Sequence, residues 1–152
     1  MRPYSFVLCL GLAAIAAAGP NFSGEWKMNP AKSDFGGMPA PDVITRSIQH
    51  DDPALDIKTY QKGAAGEVNS ELKYTTDGKP ATNKVRGMDA TGTARWEGDT
   101  LVIESWLSLQ GTEIKSKEVW ELSDGGKTLT IRNHVSIPQQ GEFDTRLVLE
   151  KQ

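Results

Sequence analysis

The chain is short of cysteine and of clustered basic charge, and each shortage excludes a class of protein. Its one cysteine, Cys9, lies in the apolar N-terminal segment. Residues 19–152 therefore contain no disulfide, no thiolate metal site and no cysteine nucleophile. The 17 Lys and Arg residues are interspersed with 20 Asp and Glu residues, and no basic run is present to attract phosphates. We therefore expect no nucleic-acid partner.

The N-terminal segment, residues 1–18, has the pattern of a secretory signal peptide. Arg2 provides a positive start, residues 4–15 form an apolar run, and residues 16–18 are alanines typical of a cleavage site. A membrane anchor is the alternative, but the run is shorter than the roughly 20 apolar residues of a spanning helix. We expect cleavage before Gly19 and a secreted or periplasmic protein without a stable membrane anchor.

The remainder, residues 19–152, has the size of one domain and alternates apolar with polar residues in short segments. Phe22, Gly24, Trp26 and Met28 alternate with polar residues, which is the period of a strand with one buried face. Turn residues divide the chain into about ten such segments, spaced roughly 8 to 12 residues apart, with no helical period between them. The predicted strands are residues 21–28, 43–50, 55–61, 67–74, 82–88, 93–97, 101–109, 112–122, 129–137 and 142–151.

Consecutive hairpins predict an all-β fold in which strands adjacent in sequence are antiparallel neighbours. Ten strands in an open sheet would leave two long edges available for aggregation, and closure into a barrel removes both edges. We therefore predict an antiparallel meander β-barrel of about ten strands. A sandwich of two sheets satisfies the same pattern and remains the alternative.

Three stretches of the sequence resemble the calycins, the superfamily of lipocalins and fatty-acid-binding proteins. Residues 22–27, Phe-Ser-Gly-Glu-Trp-Lys, are similar to the G-x-W first strand of that group. Residues 120–131 are similar to its late hairpin, and residues 144–151 resemble the last strand of fatty-acid-binding proteins, including an arginine at Arg146. In overall pattern, residues 19–152 look like uncharacterised bacterial secreted proteins with a lipocalin-like domain. The resemblance implies a lipocalin-like barrel.

The resemblance also implies structural roles for Gly24, Trp26 and Arg146 in barrel closure. Trp26 would plug the closed end, and Arg146 would lie across its ring, a contact that contributes about 0.5 to 2 kcal/mol. Gly24 would allow a close backbone approach nearby. Strand alternation places Arg146 on the outward face instead, and a bulge or a rim position would reconcile the two orientations. Val148 stands where fatty-acid-binding proteins have the tyrosine that helps to grip a carboxylate.

The segment of residues 29–42 is rich in proline and glycine, which excludes the two portal helices of fatty-acid-binding proteins. It predicts an ordered loop, with one helical turn capped by Ser33 or Asp34. Phe35 and Met38 are candidates for a lid over a cavity mouth. The alternative is a loop that packs its own side chains onto the barrel end.

The inward apolar faces predict a binding site for a small, mostly apolar ligand inside the barrel. No cofactor is expected, and the sequence does not fix the oligomeric state. The alternative is a non-catalytic interaction or structural protein of the cell envelope with a filled barrel. The residues expected to line the site are Ile57, Leu72, Trp96, Ile103, Trp120 and Ile131.

The sequence contains no motif that places a nucleophile beside a base, and we expect no enzyme activity. His50 and His134 lie on different predicted strands among polar neighbours and are expected at the surface. Two histidines without a third ligand do not form a zinc site, so no metal is expected. Glu118 has inward parity and could pair with an inward arginine such as Arg146 or act as an acid or base. The alternative is a carboxylate at the barrel rim.

Overall fold

The computed structural model describes residues 19–152, so the predicted signal peptide and Cys9 lie outside the described residues. The described residues form ten strands and two single turns of 3-10 helix. The strands are β1 (Gly24–Met28), β2 (Val43–Asp51), β3 (Ala54–Gly63), β4 (Gly66–Thr75), β5 (Ala81–Val85), β6 (Met88–Glu97), β7 (Thr100–Leu109), β8 (Thr112–Ser123), β9 (Thr128–Ile137) and β10 (Gly141–Lys151).

All ten strands belong to one antiparallel sheet in the order β4-β3-β2-β1-β10-β9-β8-β7-β6-β5. The first and last strands pair, with Trp26 opposite Lys151. The sheet curls until its outer strands, β4 and β5, lie side by side. The predicted meander barrel is therefore confirmed, and the strands do not divide into the two sheets of a sandwich. Within residues 19–152 no helix has the length and apolar character needed to cross a membrane.

The contact between β4 and β5 is made by a side chain rather than by a backbone ladder. The Lys73 backbone N–H donates to Oδ1 of Asn83 at 2.8 Å, and Nδ2 of Asn83 donates to the Lys73 carbonyl oxygen at 3.1 Å. The side-chain amide offers one acceptor and a donor, as a neighbouring strand would. Asn83 thereby satisfies both backbone groups of Lys73 where the sheet would otherwise end.

Replacing Asn83 by alanine should lower the free energy of unfolding by about 1 to 3 kcal/mol, because each lost hydrogen bond contributes about 0.5 to 1.5 kcal/mol. Amide hydrogen exchange at Lys73 should become faster. Urea denaturation and exchange measured by NMR test the two effects. Asn69→Ala, at an exposed position on the outward face of β4, is the control and should change neither quantity. Unaltered exchange at Lys73 in Asn83→Ala would contradict the bridge.

The turn between β5 and β6 lies at Arg86 and Gly87. The predicted strands 82–88 and 93–97 imply a turn at residues 89–92, and that prediction is wrong because these residues belong to β6. Arg86 and Gly87 have φ of 50° and 79°, the left-handed pair that a tight two-residue hairpin requires. Gly92 lies inside β6, where a Cβ atom would be 2.9 Å from Cε1 of Tyr74. Gly92 is thus small because the Tyr74 ring packs over it.

The loop after β1 begins with a single 3-10 turn, Pro30–Lys32. Its cap is Asn29, whose Oδ1 accepts a hydrogen bond from the Ala31 backbone N–H at 3.0 Å. The predicted cap at Ser33 or Asp34 is therefore wrong, because Pro30 at the first helical position already starts the turn.

Ser33 and Asp34 instead attach the loop to β10. The backbone groups of Asp34 and Arg146 exchange two hydrogen bonds of 2.7 Å each, and Oγ of Ser33 accepts from the Val148 backbone N–H at 3.0 Å. The loop therefore continues along β10 beyond the end of β1. This attachment places Phe35 and the following residues at one end of the barrel.

Candidate ligand-binding site

A pocket of about 440 Å³, open to solvent on one side, lies between the loop of residues 29–42 and the inward faces of β2, β3, β8, β9 and β10. This volume is within the range of small-molecule sites. Its walls combine apolar side chains with several polar ones. The apolar lining consists of Phe35, Met38, Pro39, Pro41, Ile44, Ile131 and Leu147, and the polar lining consists of Arg46, Gln61, Glu118, Asn133 and Thr145.

Trp120 does not line this pocket but contacts two of its lining residues, Glu118 and Arg46. Its side chain is fully buried, and its Nε1 donates a hydrogen bond to Oε2 of Glu118 at 2.7 Å. Cζ of Arg46 lies 5.5 Å from the ring centroid, which is a favourable cation–π distance. Because Arg46 belongs to β2 and Trp120 to β8, the guanidinium reaches across the interior from a different wall. The indole therefore positions both charged groups of the cavity.

Arg46 and Glu118 are not joined by an ion pair. None of the ion pairs among residues 19–152 includes either side chain. In that same part of the chain, Nε of Arg46 is buried without a hydrogen-bond partner. Burying a charged donor without a partner is costly. Arg46 is therefore the polar group of the cavity with the greatest unmet demand for an acceptor.

Tyr74, on β4, contributes a third polar group to the interior. Burial raises the pKa of Tyr74 to about 12, and the negative charge of Glu118 adds to this effect while Arg46 opposes it. The phenol is a neutral hydrogen-bond donor at neutral pH, as for an ordinary tyrosine. Tyr74 is not among the residues that line the pocket.

The six residues predicted to line a ligand site all lie on the inward faces of their strands. Ile131 lines the pocket, and Trp120 is fully buried behind its lining residues Glu118 and Arg46. The others belong to the hydrophobic core or pack against it, and these are Ile57, Leu72, Trp96 and Ile103. Direct contact of any of the six with a ligand stays a prediction.

The two lid candidates occupy the mouth of the cavity. Phe35 is half-buried and packs against the core, whereas Met38 is 36% exposed. Both side chains line the cavity. Their position is the one that a lid requires, and movement of the loop stays a prediction.

The structure corrects the contact predicted between Trp26 and Arg146. Trp26 is 1% exposed, but the cation over its ring is Nζ of Lys151, at 5.6 Å from the centroid. Arg146 is exposed on the outer face, where its Nε donates to the Lys32 carbonyl oxygen at 3.2 Å. The pairing of β10 with β9 runs without a bulge, so strand alternation decides the orientation of Arg146.

Gly24 does lie at a close approach, although its neighbour is Lys151. The φ of Gly24 is 143°, and a Cβ atom there would be 2.7 Å from Cε of Lys151. A side chain at this position would therefore displace the cation that covers Trp26.

His50 is buried, contrary to the surface position predicted for it. Its Nδ1 accepts a hydrogen bond from the Phe22 backbone N–H at 3.2 Å, and its Nε2 lies 3.1 Å from Oδ1 of Asp52. The same Asp52 oxygen accepts from Oγ1 of Thr76 at 2.6 Å and from Nε1 of Trp96 at 3.2 Å. The Phe22 ring stacks against both His50 and Trp96. This network closes the end of the barrel opposite the loop, so Trp96 has a structural role there.

His134 is exposed, as expected, and lies on the outer face. Its Nδ1 is 2.7 Å from Oδ1 of Asp144, and this contact raises the pKa of His134. Glu118 faces the interior, as alternation predicts, but its partner is Trp120 rather than Arg146. In residues 19–152 no group of three or more His, Cys, Asp or Glu side chains is arranged to hold a metal ion.

Arg46, a charged residue of the pocket lining, is not among the residues predicted to line the site. Arg46 stands between Ile44 and Ile48 at every second position of β2, so it shares their inward face. A charge in the middle of an apolar strand face was the available signal. Alternation along β4 puts Tyr74 on the same inward face as Leu72.

The chain resembles known proteins in its fold but not in its sequence. No protein-family model and no curated protein matches the chain. Among solved structures, the chain is similar to a secretory abundant heat soluble protein from Ramazzottius varieornatus, with a TM-score of 0.66 and 12% identity over 89% of this chain and 98% of that one. It is also similar to the zebrafish ileal bile acid-binding protein complexed with cholic acid, with a TM-score of 0.62 and 17% identity over 86% and 98% of the two chains.

A third similar structure is a mutant of the fatty acid transporter REP1-NXSQ, with a TM-score of 0.53 and 15% identity over 86% of this chain and 98% of that one. Identities this low show the fold alone. The likeness shows a shared β-barrel fold, which confirms the barrel implied by the resemblance. By their names, the zebrafish protein and REP1-NXSQ bind or transport small molecules.

Proposed function

We propose that residues 19–152 form a binding protein that takes a small amphipathic, mostly apolar molecule into the barrel. The observation that carries this proposal is the cavity of about 440 Å³, which exceeds the roughly 300 Å³ at the lower end of ligand sites. The alternative is a filled barrel that acts only through its surface, and it predicts that no small molecule binds in this pocket. The names of the zebrafish and REP1-NXSQ proteins support a small ligand with a largely apolar body.

We further propose that the protein is non-catalytic. The candidate acid–base groups lie in three separate places: Glu118 in the cavity, His50 at the closed end and His134 on the outer face. General acid–base chemistry needs such groups within hydrogen-bond reach of one reacting centre. Their separation supports binding rather than catalysis.

Ligand titration of residues 19–152 tests the binding proposal. Fatty acids, bile acids and retinoids should give a saturable change in tryptophan fluorescence, because Trp120 contacts two residues of the pocket lining, and should raise the melting temperature by mass action. Thr145→Trp should fill the mouth and abolish both responses. Thr130→Trp, on the outward face of β9, is the matched control and should retain them. No response to any of these ligands would contradict the proposal.

We also propose that the protein is exported, as a secreted or periplasmic protein related to bacterial secreted lipocalin-like proteins. The support is the signal-peptide pattern of residues 1–18. Expression of the full chain in a bacterium, followed by fractionation and N-terminal sequencing, should recover a protein that begins at Gly19 outside the cytoplasm. An uncleaved cytoplasmic chain would argue against export.

A further inference from the structure

We propose that the cavity selects a ligand whose polar end has no net charge and carries a hydrogen-bond acceptor beside a donor, as a primary amide does. The acceptor would bind Arg46 and the donor would bind Glu118. This inference rests on the proposed function and specifies the class of its ligand.

The two charged groups, Arg46 and Glu118, have complementary hydrogen-bonding capacities. A guanidinium only donates and a carboxylate only accepts, and both side chains line the same cavity. They form no ion pair with each other or with another charged side chain in residues 19–152. A single ligand group that accepts on one side and donates on the other satisfies both.

Trp120 holds Arg46 and Glu118 in place. Its Nε1 engages Oε2 of Glu118 at 2.7 Å, and its ring lies 5.5 Å from Cζ of Arg46. Oε1 of Glu118 is left to accept a further hydrogen bond, and Nε of Arg46 is buried without a partner. The site is therefore preorganised, which reduces the ordering cost of binding.

The charges of the pocket also favour a neutral head. Arg46 and Glu118 are the charged residues of its lining and have opposite signs, so the lining has a net charge of zero. A carboxylate beside Arg46 would be repelled by Glu118, and an ammonium beside Glu118 would be repelled by Arg46. Such repulsion is stronger in a partly buried pocket than in bulk water. A neutral head avoids both costs.

The remaining lining fits the apolar part of such a ligand. Ile44 and Leu147 on the walls, with Phe35 and Met38 at the mouth, offer an apolar path leading away from the charged groups. The ligand would therefore enter with its polar end towards Trp120 and its chain towards the loop.

An eight-carbon series tests the inference: octanamide, octanoate and octylamine, titrated into residues 19–152 at neutral pH by calorimetry. Octanamide should bind at least about ten-fold more tightly than either charged analogue, since a like-charge contact costs about ten-fold in affinity or more. Octanoate or octylamine binding as tightly as octanamide would overturn the inference and leave the proposed function intact. Failure of every probe, together with the fatty acids, bile acids and retinoids above, would overturn the proposed function and this inference with it.

Charge variants provide an independent test. Glu118→Gln should reverse the order so that octanoate binds more tightly than octanamide, and Arg46→Gln should favour octylamine. Glu113→Gln, at an exposed outward position of β8, is the control and should keep the original order. Circular dichroism checks that each variant folds. If a variant does not fold, the wild-type titrations with octanamide, octanoate and octylamine test the inference without it. An unchanged order in folded Glu118→Gln and Arg46→Gln would also overturn the inference.

Discussion

Replacing Trp26 by alanine should lower the free energy of unfolding by about 3 to 5 kcal/mol, the usual cost of deleting a large aromatic side chain from a core. Trp26 is 1% exposed and packs in the main hydrophobic cluster. Its Nε1 also donates to the Phe22 carbonyl oxygen at 2.9 Å, and the variant loses that hydrogen bond. Urea denaturation followed by circular dichroism measures the change.

Trp106→Ala is the matched control, because its side chain is 39% exposed on the outer face of β7. It should cost less than about 1 kcal/mol, the range of a single cross-strand contact. Trp26→Phe should fall between the two. A Trp26→Ala protein that is as stable as the wild type but has lost ligand binding would place Trp26 in the binding site instead.

Replacing Asp52 by alanine should lower the free energy of unfolding by about 2 to 3 kcal/mol. The change removes one acceptor from three donors, on His50, Thr76 and Trp96. Each hydrogen bond to a charged group contributes about 1.5 to 3 kcal/mol, but the Asp52 side chain is 55% exposed, so water replaces part of the loss. Asp99→Asn, in the exposed turn between β6 and β7, serves as the control.

The same network makes stability depend on pH. The hydrogen bond from Thr76, with smaller contributions from His50 and Trp96, holds the pKa of Asp52 below its ordinary value of 3.8, against the opposing effect of burial. A lowered pKa stabilises the folded state above the unfolded pKa, and this contribution disappears as the pH falls through the folded value. The stability difference between wild type and Asp52→Asn should therefore be constant above about pH 5 and shrink below pH 3.8. A difference that is the same at pH 7 and pH 2 would contradict this account.

Strand alternation was sufficient to predict the fold because the inward face of nearly every strand is apolar. It placed Trp26, Trp120 and Ile131 inside correctly and put Arg146 outside. The resemblance misplaced Arg146, since a conserved-looking arginine does not specify which face of β10 it occupies. The sequence predicts a turn near Gly92 because glycine is common both in turns and at strand positions where a neighbouring ring packs closely.

The candidate site was only partly predictable because its polar groups come from strands far apart in sequence. Glu118 could be placed inward by parity, but its approach to Arg46 depends on how the barrel curves β2 towards β8. His50 looked like a surface residue because its sequence neighbours are polar. Its burial depends on the contact with Phe22, which forms only when the segment before β1 packs against the end of β2.

The pairing of β1 with β10 has a consequence for how the protein folds. Every other backbone ladder of the sheet joins strands that are consecutive in the chain, so these hairpins can form locally and early. Trp26, on β1, pairs opposite Lys151, on β10. We therefore expect the barrel to close only after β10 has been synthesised, which leaves a newly made chain open for as long as that strand is missing.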